Sequence, residues 1–236
     1  YPSDYFIAFD FMDKRYLFWS LVWVGFFYNF GLWLDKFMFW FYEPTSQAII
    51  GPLRASLIYD IPVFLAYLSI IPGMAVFLVK METDFVEFYG NFYNAVREGG
   101  SLEYIEEMRN EMVFTVRQGI YQIIKIQSIA ALTVFVAGEI ILNTLHISLL
   151  YLPLLFVNLI SVGLQVVFLG VLNVFFYLDK RRIVLLLTGL FVIFNGIFTG
   201  ITLYLGPKFY GYGLAAALLI CIMLGFRYLD KVFDEL

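Results

Sequence analysis

The side chains in this sequence that could carry out chemistry are few, and they lie far apart among apolar residues. There is one histidine, His146, next to Asn143 and Ser148, and one cysteine, Cys221, inside an apolar run. No Ser-His-Asp arrangement can be assembled around His146, which reads as the surface residue of a turn. A single cysteine provides neither a disulfide framework nor a thiolate zinc site. No Walker A phosphate loop occurs, so ATP hydrolysis does not belong to this chain. The sequence therefore offers no catalytic residue, no metal site and no cofactor motif, and it reads as a non-enzyme. What it does offer is ionisable residues set in apolar surroundings: Asp35, Lys36, Arg54, Asp60 and Glu139. Charges at membrane depth are costly and are functional candidates by default. Asn29, Trp33, Lys36 and Trp40 fall at i, i+4, i+7 and i+11, on one face of a helix. Ser56, Asp60 and Tyr67 share a face of the next apolar segment, with Arg54 just before it. Two readings stand. These residues could line a wet cavity for a sugar chain, whose hydroxyls would hydrogen-bond and whose C–H faces would stack on flat aromatics. Alternatively, Asp35 and Asp60 pair with Lys36 and Arg54 at the outer membrane interface.

The elements that position these residues follow from composition. The 236 residues are 62% hydrophobic and 14% charged, against roughly 45–50% and 25% in soluble domains. Mean hydropathy is +0.84. Neither a soluble fold of this size nor a disordered chain tolerates that balance. An integral membrane protein in contact with lipid does. The net charge of −4 leaves no basic surface for nucleic acid. No signal peptide opens the chain. It begins with Tyr1, so it is expected to be the mature or excised part of a longer protein. Charge-free windows predict six spans: 16–41, 57–80, 118–142, 148–178, 183–205 and 211–229. The uninterrupted apolar runs disfavour an outer-membrane barrel. Lys14, Arg15, Lys80, Arg97, Arg109, Arg117, Lys125, Lys180, Arg181, Arg182, Arg227 and Lys231 fall on one side, and only Lys36, Arg54 and Lys208 on the other. That asymmetry puts both termini in the cytoplasm.

The connections differ in kind. Residues 43–56 read as an outer loop with Gly51-Pro52, 143–148 as a break, 179–182 as a tight inner turn and 206–208 as an outer turn. Residues 81–117 are too long for a turn. Phe85, Phe88, Phe92 and Val96 recur at helical spacing, as do Leu102, Ile105, Met108, Met112 and Val116, with Gly99-Gly100 between the two sets. Ser101 is a candidate N-cap. This predicts a cytoplasmic helical hairpin prolonging the second and third spans. Its stripes either zip the two helices together or leave Phe85, Phe88 and Phe92 as a docking face for a partner. Asn158, Ser161 and Gln165, and Thr188, Asn195, Thr199 and Thr202, form uncharged polar stripes that could be helix–helix glue or a path. Gly196 and Gly200 form a GxxxG pair. Pro62, Pro72 and Pro153 are expected kinks.

Several stretches carry a family resemblance. They include GPLRASLIYDIPVFLAYLSIIPGMAVFLVKMETDFVEFYGNFYNAVREGG (51–100), GLWLDKFMFWF (31–41), EMVFTVRQGIYQIIKIQ (111–127), LNVFFYLDKRR (172–182) and LGPKFYGYG (205–213). They resemble the PelG family of inner-membrane Pel exopolysaccharide transporters, within the multidrug/oligosaccharidyl-lipid/polysaccharide flippase superfamily. The resemblance implies an all-α membrane protein in which six transmembrane helices form one lobe of a twelve-helix transporter. This chain resembles the C-terminal lobe, so an N-terminal lobe is missing. It further implies a bacterial inner-membrane location, a neutral amino-sugar polymer as substrate and export by alternating access. The implied partners are a cytoplasmic glycosyltransferase and membrane regulators that respond to cyclic-di-GMP. The competing reading is a non-transporting membrane scaffold that docks a cytoplasmic polysaccharide synthase. A membrane-bound transferase is disfavoured by the lack of a catalytic cluster.

The charge asymmetry predicts an outcome for labelling of intact cells with a membrane-impermeant thiol reagent. A cysteine introduced at Ser46 or Ser148 is modified from outside, and one at Ser101 is not. Labelling at Ser101 would reverse the orientation.

Overall fold

Apolar runs that leave water must satisfy their backbone groups within themselves, and helices do so residue by residue. The computed structural model describes residues 18–235, and it is a helical bundle carrying one short β-hairpin. The helices are α1 (Trp19–Phe41), α2 (Leu57–Leu68), α3 (Ile70–Val79), α4 (Phe85–Arg97), α5 (Leu102–Thr144), α6 (Leu152–Tyr177), α7 (Arg181–Leu205) and α8 (Tyr212–Asp234). Among the described residues, four segments are long and apolar enough to cross a membrane: Leu102–Thr144, Leu149–Tyr177, Arg181–Leu205 and Pro207–Asp234. The pair Leu57–Leu68 and Ile70–Arg97, bent by 43°, makes a fifth if it is one span. Six were expected. The difference is α1, which has 23 residues but whose Trp, Tyr, Asn29, Asp35 and Lys36 dilute its hydropathy below that of the others. Lys14, Arg15 and the first residues of the expected span at 16–41 lie outside the described residues.

The break in the second rod has a local cause. Pro72 has no N–H to offer the Leu68 carbonyl, and its ring crowds that oxygen. The helix gives way one residue later, at Ser69, between α2 and α3. Neighbouring groups stitch the opened turn: Ser69 Oγ donates to the Ala66 carbonyl at 2.7 Å, and Gln127 Nε2 of α5 donates to the Ser69 carbonyl at 3.2 Å. Gln127 comes so close that a Cβ on Gly73 would lie 2.2 Å from its Oε1. A π-helical turn, Lys80–Asp84, then joins α3 to α4. Gly99, at φ 71°, reverses the chain, and Ser101 caps α5 by accepting from the Tyr104 N–H at 3.3 Å. At 43 residues, α5 is about 65 Å long, roughly twice the ~30 Å hydrocarbon layer. If its apolar half crosses the membrane, its first half and α4 stand outside.

At the centre of the bundle, α6 is buried along most of its length, which explains why it is apolar all round. It packs against α2, α5 and α8, and α7 lies between α8 and α1. The α1–α7 contact is built on small residues. Gly31 faces the ring of Phe191, where a Cβ would stand 2.6 Å away, and Asn195 Nδ2 donates to the Gly31 carbonyl at 2.8 Å. Gly196 and Gly200 receive Leu34 and Met38 from α1. Thr188, Asn195, Thr199 and Thr202 are buried, and so are Asn158, Ser161 and Gln165. Most of them bond locally: Thr199 Oγ1 donates to Asn195 Oδ1, Ser161 to the Val157 carbonyl and Thr188 to the Val184 carbonyl. Asn195 therefore ties α7 to α1, while the hydroxyls are satisfied within their own helices.

Three connections differ from expectation or refine it. Residues 43–56 contain an antiparallel hairpin, β1 (Gln47–Ile50) and β2 (Leu53–Ala55), turning at Gly51-Pro52, with Gly51 at φ 56°. Pro153 sits in the first turn of α6, where no amide is lost, and does not kink it. The break at 143–148 is present: α5 ends at Thr144 and His146, at φ 58°, is exposed in the turn.

Glycine packing supplies a test. A Cβ on Gly213 would meet the Thr199 amide nitrogen at 2.5 Å, whereas one on Gly189 meets nothing within 4 Å. Gly213→Ala should cost about 1–3 kcal/mol by forcing α7 and α8 apart. Gly189→Ala should be neutral or stabilising by up to ~1 kcal/mol. Thermal unfolding of the detergent-solubilised variants measures both.

Candidate substrate-path site

The most buried charges lie in the C-terminal third of α1. Asp35 is fully buried and Lys36 is 8% exposed. Sequential residues on a helix diverge by about 100°, so their side chains meet only if a long one bends back. Lys36 does so: its Nζ donates to the Leu32 carbonyl at 2.8 Å and lies 3.3 Å from both Asp35 oxygens. The second donor to Asp35 comes from α2, where Tyr59 Oη donates to Oδ2 at 2.5 Å. The Tyr59 ring is held flat against Phe39, centroids 3.8 Å apart. Lys36 Nζ also stands 5.6 Å from the ring centre of Tyr67, within cation–π range. Tyr67 Oη in turn donates to Gln165 Oε1 of α6 at 2.7 Å. One polar network thus ties α1, α2 and α6 together in the apolar interior. Both of its α2 contacts lie on the N-terminal side of the Ser69 break.

Nearer the C-terminal end of α1, Asp60 accepts from Trp40 Nε1, 3.0 Å from each oxygen, and from the Ser56 N–H at 3.0 Å. It sits at the start of α2, where the helix dipole favours a carboxylate. Arg54 Nε donates to Ser46 Oγ at 2.5 Å, and Ser46 Oγ donates to the Trp40 carbonyl. The expected rim pairing therefore divides. Asp35 and Lys36 do pair, but Asp60 and Arg54 find neutral partners. The expected common face of Asn29, Trp33, Lys36 and Trp40 divides too. Asn29 and Trp33 are exposed and Trp40 is partly covered, while the flexible stem of Lys36 carries its charge inward. Glu139 is exposed on α5 and, among the described residues, makes no side-chain hydrogen bond to this network.

The hairpin stripe is used internally. Phe85 and Phe92 are 0% and 5% exposed, and Phe88 is partly buried against the same core. Phe85 meets Tyr177 edge-on at 5.4 Å. Phe85 and Phe92 have no free surface to offer a partner, and Phe88 has little. Tyr59 is the residue the sequence reading passes over. Its one available signal is that a buried carboxylate on α1 requires a donor from a neighbouring helix. No group of three His, Cys, Asp or Glu side chains among the described residues could hold a metal ion.

Residues 1–236 match the sequence profile of PelG, "Putative exopolysaccharide Exporter (EPS-E)". The chain belongs to the PelG family. No curated protein and no solved structure matches it. PelG membership assigns it a role in Pel exopolysaccharide export, which is transport and not catalysis. Its long apolar helices make it a multi-pass protein of the inner membrane, working among lipid and polysaccharide.

The buried pair predicts a stability pattern. Lys36→Met strands the Asp35 carboxylate and should cost about 3–5 kcal/mol. Tyr59→Phe removes one donor and should cost about 1–3 kcal/mol. Asp35→Asn combined with Lys36→Met should recover most of the first loss. Thermal unfolding in detergent measures all three, and a double variant no better than Lys36→Met would show that the pair is not the source.

Proposed function

We propose that this chain is one lobe of a PelG exporter that moves the polymer across the inner membrane by alternating access. In this reading α1 completes six spans, both termini are cytoplasmic, and a second lobe of comparable size faces this one. The observation that carries the proposal is the Asp35–Lys36 pair, held by Tyr59 and Tyr67 from the outer half of a broken helix. Discontinuous helices with ionisable groups at their breaks are a recurring device of transporters. The Ser69 break frees α2 to move as a short rod while α3 stays fixed to α5 through Gln127. Moving α2 would exchange two side-chain contacts, a free-energy difference of a few kcal/mol, which is the scale on which two conformations interconvert.

The dry interior also supports the second reading, a membrane scaffold for a cytoplasmic glycosyltransferase. That reading has lost Phe85 and Phe92 as its docking face. It would have to use the exposed residues of the hairpin, and regulators of the Pel system would bind there as well.

Export and membrane abundance of the native protein carrying the paired change Asp35→Asn with Lys36→Met, Tyr59→Phe or Asp60→Asn separate the two readings. Alternating access predicts that at least the first two reduce exported polymer several-fold relative to the protein present in the membrane. A scaffold predicts that export follows membrane abundance in all three.

A further inference from the structure

Helix α1 carries a second pattern, independent of its charges. Trp19, Trp23, Phe26, Phe30, Trp33, Phe37 and Trp40 are spaced by alternating steps of four and three residues, and every position in the series is aromatic. The first six are 36–58% exposed, and Trp40 is partly so. Steps of this kind keep one side of a helix in register, so the rings form a seam along nearly the whole of α1. Neighbouring rings touch: Trp23 and Phe26 centroids lie 5.9 Å apart, Phe26 and Phe30 5.6 Å, Trp33 and Phe37 6.1 Å, and Phe37 and Trp40 5.4 Å. Beside Phe26 and Trp33 the seam is flanked by a polar group, Asn29, in an open groove with Gly25. Asn29 Nδ2 donates to the Gly25 carbonyl at 2.9 Å, which leaves Oδ1 to accept from a ligand.

We infer that this seam is a track on which the pyranose rings of the exported chain stack. The inference rests on the export reading above. Three features select a glycan over lipid or another helix. The other outward faces of the bundle are mostly aliphatic, such as Ile129, Leu132, Val136 and Ile140 on α5 and Ile193, Ile197 and Ile201 on α7. Lipid-contacting tryptophans gather at the two interfaces, whereas here exposed rings also occupy the middle of the helix, at Phe26 and Phe30. Helix–helix contacts in membranes are built on small residues, and α1 already presents Gly31 to α7 on another side. The geometry suits a sugar polymer. The rings repeat every 3.5 residues on average, about 5 Å along the axis, the length of one pyranose unit in an extended chain. Aromatic faces are electron-rich and attract the C–H face of a sugar. Such contacts are individually weak and alike from ring to ring, so a chain can slide along them, while Asn29 supplies one hydrogen bond in mid-track.

The test is complementation of a strain lacking the native protein, with exported polymer, membrane abundance and oligomeric state measured together. Trp23→Leu, Phe30→Leu and Trp33→Leu in combination keep the face apolar but remove its flat rings. Export is expected to fall about ten-fold or more, with abundance and oligomeric state unchanged, because several stacking contacts are lost at once. Trp23→Phe with Trp33→Phe, which keeps a flat ring at each place, should retain several-fold more export than the leucine variant. Native export by the leucine variant would overturn the inference. So would a loss of abundance or a changed oligomeric state, either of which would make the seam a packing face for protein. Failure of the export reading itself looks different: the strain lacking the protein would export as much polymer as its parent.

Discussion

A carboxylate with no solvent contact, placed inside an apolar bundle, constrains everything around it. Asp35 cannot remain charged there without a cation and a donor, and the chain supplies them from two helices, α1 and α2. Lys36 must curl back on its own helix. Tyr59 must stand at one position on α2, and Phe39 must hold its ring there. Tyr67 and Gln165 extend the same network to α6. Buried ion pairs are weak evidence for stability, because desolvation offsets most of their attraction. Here the pair fixes where α2 lies relative to α1, which apolar side chains alone would leave loosely specified.

The rest of the bundle packs closely around this network. Glycines bring α1 onto α7 and α8 onto α7 at backbone distance, and α6 fills the centre. Hydroxyls on α6 and α7 are satisfied within their own helices, and Asn195 ties α7 to α1 through the Gly31 carbonyl. On the outside of the bundle, α1 exposes mainly aromatic residues, where α5 and α7 expose mainly aliphatic ones.

Much of the fold was legible as sequence. Four of the six predicted spans, and the broken fifth, follow directly from charge-free windows of membrane length. The Ser101 cap and the turns at 143–148 and 206–208 follow from residue types with strong local preferences. The hairpin at 47–55 was read as a loop, because two short exposed strands have no apolar alternation to reveal them. Helix α1, the sixth expected span, falls short by hydropathy because its Trp, Tyr, Asn29, Asp35 and Lys36 dilute it.

Composition, periodicity and charge placement thus determined that the chain is a helical membrane protein, where most of its helices run and which charges lie at depth. These are properties of single segments, set by the cost of unpaired backbone and charge in hydrocarbon. Only the tertiary structure decided which charges pair. Helical spacing put Lys36 on the face of Asn29 and Trp33, yet its flexible stem turned the ammonium inward to Asp35. Proximity in sequence set Arg54 beside Asp60, yet Trp40 and the Ser56 amide took that carboxylate. The same held for Phe85, whose stripe is amphipathic in isolation and which packs against Tyr177, some ninety residues further on. Each choice turns on a partner from a distant segment, and no single helix contains that information.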